Sequence, residues 1–239
     1  MGGTRGIGRA IAWRLASGGA HVLANYVREQ ARADQLLQEA MHAGLALELV
    51  RADVTSPKGI DALVDAVRRG AGALSILVFA AATGVHKSLD QLTTRHFDWT
   101  FALNVRAFFE LVQRLSPLMP SGSSIVAVSS EGATRAAPHY TLVGASKGAL
   151  EALARHVAME LAPKGIRGNV LAPGTVLTDA WKVLPDAEAR LAEASRRSLL
   201  GRLNTPDEVA WAAQFLCSDA ASGLVGHTLV VDGGARIRG

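Results

Sequence analysis

The sequence predicts an α/β fold: a single domain with a doubly wound parallel sheet and helices on both faces. Three observations carry this. Short apolar runs alternate with longer helical stretches along the 239 residues, joined by short connections. Apolar residues make up 49% of the chain and aromatic ones 5%, so the core is Ala, Val, Leu and Ile, which suits helices packed closely on a parallel sheet. The chain also opens on MGGTRGIGRAIA, with Gly2, Gly6 and Gly8 ahead of a helical apolar stripe. That is the turn of a Rossmann-type dinucleotide-binding unit. Residues 1–239 show no repeat of fixed period, no low-complexity linker and no second domain.

The elements follow in order. HVLANY (21–26) reads as a strand, followed by a helix over 28–43. ALELVRADV (46–54) is the next strand, and the helix after it starts at Pro57, a residue suited to a first helical turn, and runs to Arg69. LSILVFAA (74–81) is a continuous apolar run, as a strand covered on both faces should be. Residues 88–115 carry one long helix or two, and SSIVAVSS (123–130) is a strand ending in serines. YTLVGASKGALEALARHVAMELA (140–162) is the strongest helix, stopped by Pro163 and Gly165. IRGNVLAP (166–173) and HTLVVDGG (227–234) are the last strands, with a helix at about 206–218 between them. Residues 175–204 are the one long irregular stretch and read as a substrate lid. In such sheets ligands bind beyond the carboxyl ends of the strands.

One element is missing from this list. A glycine turn of this kind normally follows a buried strand, and only Met1 precedes it. The sheet is therefore expected to have its first strand absent or truncated. Either upstream residues complete the sheet, or the sheet is rearranged. Five or six apolar residues of a central strand contribute roughly 1.5–3 kcal/mol each, comparable to the roughly 5–15 kcal/mol of a whole domain.

The formal charge of +4 and pI near 9.6 are mildly basic, with no Lys/Arg run long enough for a nucleic-acid arm. A diffuse basic face suits phosphate-bearing cofactors or an acidic carrier protein. Cys217 is the lone cysteine, which rules out an internal disulfide or thiolate cluster and fits a reducing cytoplasm. The longest apolar run, 76–82, is too short to span a bilayer, and no signal peptide is legible. The expectation is a cytoplasmic protein that binds neither nucleic acid nor membrane.

The glycine turn lets the backbone approach a pyrophosphate, and the helix start behind it offers free N–H groups. Arg5 lies inside that turn and could meet a 2′-phosphate. Tyr140 and Lys147 stand seven residues apart at the start of the strongest helix, on one face. A lysine ammonium beside a phenol is expected to lower the phenol's pKa. Ser130 ends the preceding strand and could donate to the same substrate oxygen.

These pieces resemble the short-chain dehydrogenase/reductase superfamily over nearly the full length. The resemblance rests on GGTRGIG, ADV (52–54), LNV (103–105), SS (129–130), YTLVGASK, APG (172–174) and VVDGG. Most members carry Tyr-x-x-x-Lys; here Val143 stands at that tyrosine position, and Tyr140 with Lys147 makes Tyr-x6-Lys. That spacing, with TDAWKVLP (178–185) as a lid, is similar to the NADPH-dependent enoyl-acyl-carrier-protein reductases. The resemblance implies that Tyr140 hydrogen-bonds a thioester carbonyl oxygen and that Lys147 holds the nicotinamide ribose. Ser130 and Asn104 are implied to orient substrate and a relay water. On the cofactor side it implies Gly2, Thr4, Arg5, Gly6, Ile7 and Gly8 at the phosphates. Asp53 and Val54 flank the adenine, and Pro173, Gly174 and Thr178 border the nicotinamide. Asn25, Tyr26 and Arg28 follow the second strand, where an acidic residue would favour NADH; its absence there leans toward NADPH. A homodimer or homotetramer is implied too.

A tyrosine three residues earlier on a helix is displaced by about 4.5 Å and rotated by about 60°, so ketone or aldehyde reduction is the weaker reading. FAAATG (79–84) replaces the family's Asn-Asn-Ala-Gly, and Ser130 stands where many enoyl reductases have a second tyrosine. With the missing strand, this leaves room for a cofactor-free cyclase, dehydratase or binding protein on the same fold. His21, His42, His96, His139, His156 and His227 show no metal-ligand spacing and read as structural, as do Trp13, Trp99 and Trp211. Trp181 in the lid could touch an acyl chain, and Glu131 lies near Ser130. Arg190, Arg196, Arg197 and Arg202 read as a solvated face or as a landing for an acidic carrier.

Overall fold

The computed structural model describes residues 1–179 and 187–238. Among these, six strands form: β1 (Val22–Tyr26), β2 (Leu47–Arg51), β3 (Ile76–Phe79), β4 (Ser124–Val128), β5 (Arg167–Pro173) and β6 (Thr228–Val231). The helices are α1 (Gly6–Ser17), α2 (Gln30–His42), α3 (Pro57–Arg69), α4 (Thr94–Phe101), α5 (Ala107–Leu115), α6 (Thr141–Leu161), α7 (Ala187–Arg197) and α8 (Pro206–Cys217). Every strand pairing is parallel, so each connection must cross over through a helix. The strands form a two-stranded sheet, β1-β2, and a four-stranded sheet in the order β3-β4-β5-β6.

Helices cover both faces, as expected. Leu63, Val64 and Val67 of α3, Phe108 and Leu111 of α5 and Leu150 of α6 pack with Leu77, Phe79 and Ile125 on one face. Ile11 of α1 and Val209, Ala213 and Leu216 of α8 pack with Val126, Val128 and Leu171 on the other. Continuous apolar sequence in β3 and β4 follows from this double cover.

A gap lies beside the glycine turn, where the sequence leads one to expect a further strand. Between β1 and β3 lies an open slot of about 310 Å³, lined by Val22, Leu23 and Ala24 on one side and Ile76, Leu77 and Val78 on the other. Met1–Gly3 bridges its ligand end. The Met1 carbonyl accepts from Ala80 N at 3.0 Å, the Met1 nitrogen donates to the Val78 carbonyl, and Gly3 N donates to Asn25 O at 3.0 Å. The strands flanking the slot, β1 and β3, do not pair with each other across it. Ile11, Leu63 and Leu115, from helices on both faces, also line the slot and hold it open.

Three local readings change. The stretch 88–115 is two helices joined by a π-helical turn at Ala102–Arg106. The supposed irregular stretch contains α7, an amphipathic helix of eleven residues, Ala187–Arg197. The remaining lid residues 180–186, Trp181 among them, lie outside the described residues. Trp99 and Trp211 are not core: they are 51% and 56% exposed, and Arg14 stacks on the Trp211 ring at 3.3 Å. Among the described residues, no helix is long and apolar enough to cross a membrane.

Candidate active site

The glycine turn forms a cradle in which side chains at positions 2, 6 and 8 would be strained or would clash. Gly2 and Gly6 adopt φ of 71° and 50°, and a Cβ on Gly8 would lie 2.0 Å from the Gly2 carbonyl oxygen. No side chain caps the first turn of α1, so its N–H groups are left to a ligand. In front of it opens a cleft of about 830 Å³ lined by Thr4, Arg5, Gly6, Arg9, Arg32 and Thr178, among others. The Thr178 side chain stands beside Gly6, where a Cβ would be 3.6 Å from its methyl. An anionic, extended ligand of the dinucleotide kind fits this cradle. Ile7 packs its side chain toward the α1–α8 core, so it can serve only through its backbone.

The adenine side is partly as expected. Asp53 folds back on its own turn, its Oδ1 accepting from Thr55 N at 2.9 Å and Thr55 Oγ1 at 2.7 Å. Val54 is buried in the core at 2% exposure, leaving only its backbone for a ligand. Tyr26 is likewise buried, its hydroxyl on Gln30 Oε1 at 2.6 Å, which removes it from the cofactor site as a side chain. Asn25 instead ties strands together, donating to Val50 O and Ala52 O. Arg28 is exposed.

Asn25, Tyr26 and Arg28 carry no acidic group, as expected, but one stands just beyond them. Glu29, one residue past Arg28, receives Arg5 at 3.5 Å and Arg32 at 2.5 Å. Arg32 also reaches Asp179 at 2.8 Å, joining α2 to the start of the lid. Helical spacing joins Glu29 to Arg32, but only the fold brings Glu29 to Arg5, 24 residues away, so adjacency in sequence does not show it.

At the carboxyl ends of β3–β5, Tyr140 caps α6 and its hydroxyl lies 3.3 Å from Ser130 Oγ. His139, left-handed at φ 59°, turns the chain into that cap; it precedes the helix rather than lying on it. The Tyr140 ring packs on Gly132, where a Cβ would stand 2.3 Å from Cε1. Lys147 is buried and donates to the Val128 carbonyl at 2.7 Å. Burial pushes its amine down to about 8, against the opposing pull of Glu151.

The expected lowering of the phenol's pKa is reversed. Burial raises Tyr140, Glu131 adds to this, and only the Ser130 hydrogen bond opposes it. No hydrogen bond joins Lys147 to Tyr140 among the described residues. The phenol therefore holds its proton more tightly than a free tyrosine does. Val143, at the family's usual tyrosine position, is buried directly under Gly84, where a Cβ would be 2.0 Å from Val143 Cγ2.

Asn104, in the π-helical turn, holds the loop after β3. It accepts from Thr83 N at 2.9 Å and donates to Thr83 O at 2.8 Å and Ser146 Oγ at 2.9 Å. Its polar atoms are thus committed to that loop and to Ser146 of α6. That loop also carries His86, which sequence reading passed over. Its ring lies 5.6 Å from Tyr140, and its buried Nδ1 has no hydrogen-bond partner among the described residues. Its one sequence signal is its place on a loop at the carboxyl end of a strand. Pro173 and Gly174 close β5 against β6; a Cβ on Gly174 would be 2.8 Å from that of Asp232. Arg196, Arg197 and Arg202 are paired with Glu193, Glu131 and Glu208. The Arg197–Glu131 pair fastens α7 beside Ser130.

With this geometry in place, the family model described as enoyl-(acyl carrier protein) reductase matches residues 2–236. The chain belongs to the short-chain dehydrogenase/reductase family. This oxidoreductase is 36% identical over 238 residues to the 1-cyclohexenylcarbonyl-CoA reductase of Streptomyces collinus, covering 99% of this chain and 85% of the relative. It is 35% identical over 233 residues to the 7alpha-hydroxysteroid dehydrogenase of Escherichia coli K12, covering 96% and 89%. Among solved structures, a short chain dehydrogenase from Burkholderia cenocepacia in complex with NADP superposes with TM-score 0.92 at 33% identity, covering 98% of this chain and 95% of that one. Membership agrees with the doubly wound parallel fold and with the site at the strands' carboxyl ends.

Proposed function

We propose that the chain is an NADPH-dependent reductase of the C2–C3 double bond of an enoyl thioester, carried on coenzyme A or an acyl carrier protein. The observation that carries this reading is the phenol. Tyr140 holds its proton more tightly than a free tyrosine does, seven residues before Lys147, while Val143 at the other helical position lies sealed under Gly84. The S. collinus relative supports it, since its named substrate is an unsaturated thioester. When bound, NADPH supplies the hydride. Tyr140 donates to the thioester carbonyl oxygen where negative charge develops, and Ser130 orients the phenol. Lys147 places its ammonium at the cofactor ribose and keeps the site positive. The exposed Phe97, Trp99 and Phe109 of α4 and α5 support assembly as a homo-oligomer.

NADPH is supported by Arg5, Arg9 and Arg32, which line the cleft beside the acidic Glu39, Asp179 and Asp207, and by the NADP complex of the B. cenocepacia neighbour. Replacing Arg5 by Ala and Arg32 by Glu together is expected to weaken NADPH binding about 10–100-fold and NADH binding little, because a hydrogen bond to a charged group contributes about 1.5–3 kcal/mol. Fluorescence titration with both nucleotides checks this; equal losses for the two would show that neither arginine meets the 2′-phosphate.

The Ser130–Tyr140 pair favours a second reading, since two neighbouring hydroxyls could also hold a ketone oxygen. Turnover of crotonyl-CoA and acetoacetyl-CoA with NADPH separates the two. The enoyl thioester is expected to be reduced at least about tenfold faster, a difference of about 1.4 kcal/mol. The opposite order makes this a ketone reductase. Folded protein that binds no NADPH would instead be a cofactor-free member of the fold.

A further inference from the structure

Beneath the site lies a buried acidic group that neither the family motif nor the reading above uses. Glu151 is 6% exposed, one helical turn past Lys147 on α6. Its Oε1 accepts from Ser129 Oγ at 2.6 Å, and Ser129 is itself buried at the end of β4. Lys147 is 4% exposed and reaches the Val128 carbonyl of the same strand end. Lys147 and Glu151 are thus buried together one helical turn apart, where an amine taken out of water gains from an acidic group enclosed with it.

We propose that Glu151 is a positioning residue of this site, the buried counter-charge that keeps Lys147 protonated, with Ser129 holding its carboxylate in place. Surrounding groups leave it that role. Glu131 pairs with Arg197, and Arg106 with Glu110. Arg167 of β5 donates to the carbonyls of Leu216, Ser218 and Ala221. His96 caps α4 through Thr93, and Arg95, Asp98, Arg155, His156, Glu160 and Lys164 are exposed or lie at the surface. Asn104 and Ser146 are neutral and bonded to each other. The Lys147 amine sits at about 8 with Glu151 raising it, so removing the carboxylate lowers it further.

The inference rests on Lys147 acting as an ammonium, so its test reads the amine directly. In ¹³Cε-lysine NMR, Lys147 is assigned by Lys147→Arg against Lys58, Lys87, Lys164 and Lys182. Its titration midpoint is expected to fall by about one pH unit in Glu151→Gln, a shift typical of losing one nearby opposite charge. An unchanged midpoint overturns the proposal whatever the enzyme reduces. If Glu151→Gln does not fold, Glu151→Asp moves the charge by one methylene, and a midpoint unmoved there overturns it equally. In turnover, a one-unit drop means near-equal rates at pH 6 and about a fivefold deficit at pH 8, because the active ammonium is lost as pH rises through its pKa. A merely structural role would lower the rate evenly across pH. A midpoint that moves without this pH-dependent deficit would keep the counter-charge and remove the ammonium from the reaction.

Discussion

Tyr140→Phe is expected to lower kcat on an enoyl thioester by about 10²–10³-fold, the loss typical of one donor to a developing oxyanion, with the NADPH Kd almost unchanged. The variant removes the hydroxyl 3.3 Å from Ser130 and leaves the ring on Gly132, so the fold around it is undisturbed. Lys147, anchored on Val128, still meets the cofactor. Because Tyr140 is raised by burial, its ionisation lies above its ordinary value and does not limit activity near neutrality. The alkaline limb belongs to Lys147, near 8. A second tyrosine at position 143 should not rescue the variant, since Gly84 already fills the space above Val143. Steady-state kinetics of both variants check this. A kcat within threefold of the parent would remove Tyr140 from the reaction.

The other large effect concerns the slot between β1 and β3. A designed extension of five Val and Ile residues ahead of Met1 is expected to enter it as a parallel strand continuing into Met1–Gly3. Each buried side chain contributes roughly 1.5–3 kcal/mol, against roughly 1–2 kcal/mol per residue to order the backbone, with new ladder bonds to both flanking strands in addition. A net gain of about 3 kcal/mol corresponds to a rise in Tm of about 6–12 °C at this size. The same strand would stiffen Met1–Gly3, the start of the phosphate cradle, and tighten NADPH binding with it. Differential scanning calorimetry decides the matter against a control extension of alternating Gly and Asp. Equal Tm values for the two would mean that the slot does not accept a strand.

The parallel sheet, its order of elements and the identity of the cradle were legible in the amino-acid sequence, because each rests on local patterns. Apolar runs such as 74–81 mark strands covered on both faces, Pro57 and Pro163 mark helix ends, and glycines at 2, 6 and 8 mark close backbone approach. Tyr140 and Lys147 were legible for the same reason, as two positions on one helix. α7 was overlooked because its polar composition hid the helix among loop residues. What only the tertiary structure decided depends on burial and on contacts across long sequence separations. The direction of the Tyr140 shift follows from how deeply the phenol is enclosed, which spacing on a helix does not reveal. Asn104 became a clamp on Thr83 because a π-helical turn aims it at the β3 loop. Glu29 and Arg32 joined Arg5, and Ser129 met Glu151, by folding segments more than twenty residues apart onto one another. The strand slot stays open for the same reason: helices on both faces fix the spacing of β1 and β3, whatever lies between them.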